Sequence, residues 1–243
     1  MSTSFRIRRL LSFSGRVSPV IGGLIVAIFV LSLIAAVTAR NGLSLYSYVM
    51  LVPAAVWHGE IWRLLTWVFF ESDPISLVFA CLMLYWFGRD LATEWGIRRF
   101  LRICGGLTLA VGVVLCLAGR FVWPELMEHP YLGSMTISSA LVIAWALTYP
   151  DRQIMLYFVL RVGGKQLLYL ELGLTALFAI FYGVPAVLHI IAAELLMLAY
   201  MYRFWVRRRL DTFTGRLRRR RVPPDIRVWD DKKGDFRPPK WVN

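Results

Sequence analysis

Six long apolar stretches govern what this chain of 243 residues is able to fold into. They run at roughly 19–39, 74–92, 101–122, 133–149, 166–183 and 184–205. Hydrophobic residues make up 58% of the sequence, more than the interior of a soluble domain this size hides from water. The bilayer is the solvent that accepts such stretches. Inside hydrocarbon, backbone polar groups are satisfied only by a helix or a closed barrel. Stretches near 20 residues fit helices, whereas barrel strands are about 10 residues long. The expectation is an all-α, polytopic membrane protein with six spans. The last two are separated only by the turn Gly183-Val184-Pro185. The first stretch, Pro19 to Ala39, suits a span better than the shorter core of a cleaved signal.

Charge sets the orientation. The formal net charge is +13, and half of the 28 Lys and Arg residues lie after residue 202. With the N-terminus in the cytoplasm, the outer loops hold only Arg40, Arg63 and Arg120, and the inner segments hold the other 25. By the positive-inside rule both termini are expected in the cytoplasm. The division into domains follows: an N-terminal arm at 1–18, a membrane domain at 19–205 and a basic, Pro-rich tail at 206–243. The cluster beyond the last span is expected to meet anionic lipid at the inner leaflet, not nucleic acid. Further on, Trp229, Phe236 and Trp241 stand among prolines in a polar strip. The strip is expected to be extended and to dock on a partner.

Metal, disulfide and cofactor chemistry find little support. Cys81, Cys104 and Cys116 all sit in apolar segments without framework spacing. His58 and His129 fall in outer loops with no metal-ligand spacing. No cofactor and no metal are expected. The first outer loop, Arg40 to Asp73, is rich in aromatics, including Trp57, Trp62, Trp67, Phe69 and Phe70, yet too interrupted to span. It is expected to be a half-inserted, interfacial element.

Several stretches carry a resemblance. Gly59-Glu60-Ile61-Trp62-Arg63-Leu64-Leu65-Thr66 resembles the first outer loop of the rhomboid family, with its Trp-Arg pair. Leu84-Tyr85-Trp86-Phe87-Gly88-Arg89-Asp90-Leu91 and Glu94-Trp95-Gly96 resemble the end of that family's second helix and the turn after it. Ala144 to Arg152 resembles the end of its fourth helix. Together these pieces, in order, cover roughly residues 15–208. The resemblance implies a six-helix intramembrane bundle in which Glu60, Trp62 and Arg63 structure the outer loop. An Arg among aromatics is suited to binding backbone carbonyls.

The same resemblance speaks against proteolysis. Rhomboid proteases use a serine in Gly-x-Ser-Gly at the start of helix four, a histidine on helix six, and a His-x-x-x-Asn pair on helix two. A hydroxyl nucleophile needs a base, and the developing oxyanion needs donors. Here the first pattern falls on Gly133-Ser134-Met135-Thr136, which puts Met135 at the nucleophile position. The oxyanion positions fall on Ser76 and Ala80, and only the histidine remains, as His189. The expectation is a catalytically inactive pseudoprotease with no catalytic residues. The alternative is an active intramembrane serine protease with a displaced nucleophile, Ser138 or Ser134, working with His189.

Two carboxylates also lie within the spans, Glu171 and Glu194. Ionisable residues at membrane depth mark functional candidates. Glu194 is read as a polar contact with a partner. Inactive relatives of rhomboids bind transmembrane clients, so the implied function is client binding, quality control or service as a fixed subunit of a membrane complex. A bacterial inner membrane is the expected location.

Overall fold

A computed structural model describes residues 18–156, 160–219, 228–230 and 235–237. The chain divides into two compact units, Met1–Ala199 and Tyr200–Asn243. All six apolar stretches are helical. Helix α1 is Pro19–Arg40. The outer loop carries three short helices, α2 (Tyr46–Val49), α3 (Pro53–Trp57) and α4 (Arg63–Thr66), and a 3₁₀ turn, Trp67–Phe69. The second span runs unbroken from Pro74 to Trp95 as α5 (Pro74–Met83), a π-helical turn (Leu84–Gly88) and α6 (Arg89–Trp95). Gly96, at φ +82°, turns the chain into α7 (Ile97–Phe121). A 3₁₀ turn, Pro124–Met127, leads towards α8 (Met135–Thr148). Then come α9 (Gly164–Tyr182) and α10 (Val184–Arg219).

Among the described residues five helices are long and apolar enough to cross a membrane, and α8 is a shorter apolar one. At 1.5 Å per residue its 14 residues reach about 21 Å, well short of a hydrocarbon core of about 30 Å. The reason lies in its surroundings. Residues Ala140 to Ala146 are all buried, with Ala140, Ile143 and Ala144 fully so. A helix apolar on every side belongs in the middle of a bundle, and α8 packs against α5, the π-helical turn, α6, α7 and α9. A helix too short to span leaves irregular backbone before it that must find partners within the protein. It does: Tyr131 and Leu51 exchange backbone hydrogen bonds at 2.9 Å each way, and Gly133 N donates to Trp67 O.

The sixth helix outruns its apolar stretch and takes in the short segment after Arg207-Arg208-Arg209 that the sequence allows to be helical. The apolar stretch stops near residue 205, but α10 continues to Arg219, since the basic residues that follow are good helix formers. Two antiparallel ribbons are the departures from all-α structure among the described residues. Strand β1 (Gln153–Leu156) pairs with β2 (Leu160–Gly163) between α8 and α9. In the tail, β3 (Val228–Asp230) pairs with β4 (Asp235–Arg237), placing Trp229 opposite Phe236. The strip expected to be extended is therefore paired at these two points. Trp241 lies outside the described residues.

Candidate functional site

The region around the start of α8 gathers most of the residues singled out in the sequence. On the outer loop, Arg63 is almost fully buried. Its Nε donates to Glu60 Oε2 at 2.5 Å, and Nη1 donates to the Met50 carbonyl at 2.7 Å. Trp62 Nε1 donates to the Tyr48 carbonyl and Thr66 Oγ1 to the Val49 carbonyl. Three successive carbonyls, 48 to 50, are thus held by side chains from α4 and the residue before it. The loop also grips α7: Trp57 Nε1 donates to the Cys116 carbonyl, and Gly112 leaves room for Leu64, whose Cδ2 would lie 2.8 Å from any Cβ there. One side of the loop is buried, with Trp67 inaccessible, while Trp57, Ile61, Trp62 and Leu65 are exposed. That amphipathic division is what an interfacial element requires.

Met135, the first residue of α8, is 49% exposed, so its side chain leaves the bundle. Ser134 before it is buried, and both of its donors end on one oxygen: the amide donates to Glu71 Oε1 at 2.6 Å and the hydroxyl at 2.7 Å. Glu71 is itself buried, its backbone amide donating to Ser32 Oγ of α1 and its carbonyl accepting from Tyr46 OH. Gly133, at φ +103°, leaves the space the carboxylate fills, since a Cβ there would sit 2.9 Å from Glu71 Oε2. One residue thereby ties α1, the outer loop and α8 together. A carboxylate also suits the partial positive charge of a helix N-terminus.

The remaining family positions are dispersed. Ser76, half-buried in the first turn of α5, gives its amide to the capping carboxylate of Asp73. Ala80, one turn on, is buried and has no donor to offer. His189 on α10 packs its ring 5.3 Å from that of Tyr131, which in turn meets His129 edge-on at 4.7 Å. Among the described residues no hydrogen bond joins His189 to Ser134 or Ser138, and His189 Nδ1 is buried without a partner.

The other end of α8 holds a second node. Asp90 Oδ2 accepts from Trp145 Nε1 at 3.0 Å and from Arg152 Nη1 at 2.8 Å. Phe87 meets Trp145 edge-on, and Arg152 lies over the Tyr149 ring. Burial first, then the nearby Glu94 and Asp90, raise the Tyr149 hydroxyl above its ordinary value. The second-helix and fourth-helix stretches that carry the resemblance are therefore in contact.

Glu194 corrects an expectation. It is 3% exposed and accepts from Thr175 Oγ1 of α9 at 2.7 Å, so its polar contact is inside the chain. Sequence reasoning also missed Glu71 as a site residue. Its signal was a single acid directly after Phe69-Phe70 in an apolar loop.

Among the described residues no group of three or more His, Cys, Asp or Glu side chains is placed to hold a metal. Residues 22–236 match the family described as Eukaryotic integral membrane protein (DUF1751), and the chain belongs to that family. The eukaryotic description weighs against the bacterial inner membrane expected from the sequence. No curated protein matches the chain.

Proposed function

We propose that this integral membrane protein is a rhomboid-like pseudoprotease: it keeps the bundle, lacks the chemistry, and binds transmembrane segments of other proteins as a client-binding factor or a subunit of a membrane complex. The observation that carries the reading is the Glu71–Ser134 contact. A protease needs the start of α8 to present a free hydroxyl and free amide donors to a developing oxyanion. Here the serine hydroxyl and its amide both end on a buried carboxylate. The donors an oxyanion would need already have an acceptor. Met135 carries no ionisable proton, Ala80 offers no side-chain donor, and among the described residues His189 has no hydroxyl partner. With both termini in the cytoplasm, this end of α8 faces the outer side and the Asp90 node the inner side.

The test uses the full-length protein in proteoliposomes. A serine-reactive fluorophosphonate is expected not to label it, and model transmembrane substrates are expected to stay intact. Met135→Ser alone should not restore cleavage, since one missing oxyanion donor costs about 10²–10³ in rate. Labelling that disappears in Ser138→Ala or Ser134→Ala establishes the displaced-nucleophile protease instead. Partner binding is tested by gentle detergent extraction and affinity purification. Recovery of the chain alone, after cross-linking in the membrane, counts against it.

A further inference from the structure

The connection between α8 and α9 carries no charge from Gln153 to Leu160, and the seven residues from Ile154 to Leu160 are all apolar or aromatic. Surface connections are ordinarily polar, because water is their solvent. A run of seven is far too short to span a bilayer. The register of the ribbon sorts it into two faces. Ile154 pairs with Val162 and Leu156 with Leu160, so these four aliphatic positions share one face. Gln153, Met155, Arg161 and Gly163 fall on the other. Exposure follows the sorting at both strands: Gln153 and Arg161 are exposed, whereas Ile154 and Val162 are half-buried. A two-stranded ribbon is at best marginally stable alone in water, so its aliphatic face needs a cover. The base of the ribbon is fixed between two membrane helices. Gly164 N donates to the Arg152 carbonyl at 3.0 Å, and Gly164 leaves no room for a Cβ against the Tyr149 carbonyl. Strand β2 runs into α9 without a linker, and Gly164 is the first residue of that apolar span. The ribbon therefore begins at the boundary between hydrocarbon and water. Basic residues flank it: Arg152 is engaged by Asp90, while Arg161 and Lys165 are exposed and make no ion pair among the described residues.

We propose that the β1–β2 ribbon is a lipid-docking element: its aliphatic face lies in the interfacial layer of the bilayer, and Arg161 and Lys165 bind the headgroups of anionic lipid beside it. Lipid is already within reach, because the ribbon is held between the ends of two membrane helices. The free charges that flank the apolar run are basic, which suits anionic headgroups. A division into an aliphatic and a polar face is what an element lying in the interface requires. The bundle leaves the face partly open, since Ile154 and Val162 keep some exposure and the ribbon's packing among the described residues is on α9. Docking has a consequence for α8. The hydrogen bond from Gly164 to Arg152 closes the ribbon directly behind that helix, so an anchored ribbon fixes the depth of a helix too short to set its own.

The test uses the full chain carrying Cys81→Ala, Cys104→Ala and Cys116→Ala, with one new cysteine at a time. Ile154→Cys, Leu156→Cys and Val162→Cys report the aliphatic face, and Gln153→Cys and Met155→Cys the other. Each is labelled with an environment-sensitive fluorophore and placed in nanodiscs of phosphatidylcholine with about 30% phosphatidylserine. Lipid brominated close to its headgroup should quench the first three, and aqueous iodide the last two. Neighbouring positions on one strand then alternate, which a general loosening of the loop does not produce. Brominated phosphatidylserine should quench the label at Val162→Cys more strongly than the same fraction of brominated phosphatidylcholine. Arg161→Gln with Lys165→Gln should remove that difference at an unchanged unfolding midpoint. Iodide quenching at all five positions overturns the proposal, because the aliphatic face is then in water and free for a soluble partner. Quenching of the aliphatic positions by neither agent overturns it too, because the bundle then covers them. Equal quenching by the two brominated lipids overturns the assignment of anionic lipid.

Discussion

The two ends of α8 are each held by one carboxylate, and they work in opposite regimes. At the N-terminal end, Glu71 is buried, accepts from an amide and a hydroxyl of the same serine, and sits at the positive pole of the helix. At the C-terminal end, Asp90 is shared between the indole of a buried Trp145 and the guanidinium of Arg152, which is 55% exposed. The first is a desolvated contact whose loss leaves donors stranded. The second is half in water, where ion pairs contribute little. A short helix, buried from Ser139 to Ala146, is thus locked at one end and tethered at its wet end. The lock engages both donors of Ser134, the feature on which the proposed absence of proteolysis rests.

Breaking the lock should have the largest effect. Glu71→Ala strands the amide and hydroxyl of Ser134 in a buried place, and each unsatisfied group costs about 1–3 kcal/mol, so the expected loss is roughly 3 kcal/mol. Unfolding of the purified protein in micelles, by heat or steric trapping, measures it. Glu71→Gln should lose less, because the amide oxygen still accepts. If Glu71→Ala unfolds at the wild-type midpoint, Glu71 holds nothing and the contrast between the two ends collapses.

The wet end divides into two parts. Asp90→Ala leaves Trp145 Nε1 without an acceptor in a side chain only 1% exposed, an expected cost of about 1–2 kcal/mol. Asp90→Asn, which still accepts through its oxygen, should recover most of that loss. Equal damage from both substitutions shows that charge, not the indole contact, dominates this node.

These two ends differ also in how far they are legible in sequence. The spans are written in hydropathy, and their bounds fall within a few residues of the helices except where α10 runs on past residue 205 to Arg219. Asp90, Trp145 and Arg152 lie in stretches whose resemblance to a known family was visible. That the stretches touch required coordinates. Glu71 was not legible, because its partners Ser32, Tyr46 and Ser134 are remote in sequence and each is an ordinary polar residue alone. The same holds for Thr175 and Glu194. Pattern reveals which residues face inward, whereas a hydrogen bond between distant helices depends on rotation and register. The ribbons were missed because short strands of mixed composition carry no periodic signal.

A third carboxylate separates burial from position. Asp73 caps α5 through a hydrogen bond from Ser76 N at 2.8 Å, again at a helix N-terminus, but in water. Asp73→Ala should cost about 1 kcal/mol, the usual worth of a cap and well below the loss at Glu71. Hydrogen bonds from Ser76 hold the Asp73 carboxyl below its ordinary value. Its folded form is therefore favoured in the ionised state. The added stability is present above the unfolded value of about 3.9 and is lost as the pH falls through the folded value. The midpoint gap between wild type and Asp73→Ala should shrink when measured below pH 4. A gap that is the same at pH 3 and at pH 7 removes the charge from the account.

Arg152 should show the smallest effect, and it tests the regime of the wet end directly. Its guanidinium meets Asp90 and overlies the Tyr149 ring at 5.0 Å, both in partial contact with water. Arg152→Ala leaves Asp90 still bonded to Trp145, so no buried group is stranded. It also leaves the Arg152 carbonyl in place, where it accepts from Gly164 N at the start of α9. Only an exposed ion pair and a ring contact are lost, about 0.5 kcal/mol in all. Because such pairs are screened by salt, raising ionic strength from about 0.05 to 0.5 M should erase most of the difference from wild type. The same change should leave the Glu71→Ala deficit untouched, since that contact is shielded from ions. If Arg152→Ala costs as much as Glu71→Ala, or ignores salt, then the two ends of α8 are held in the same way and burial is not what distinguishes them.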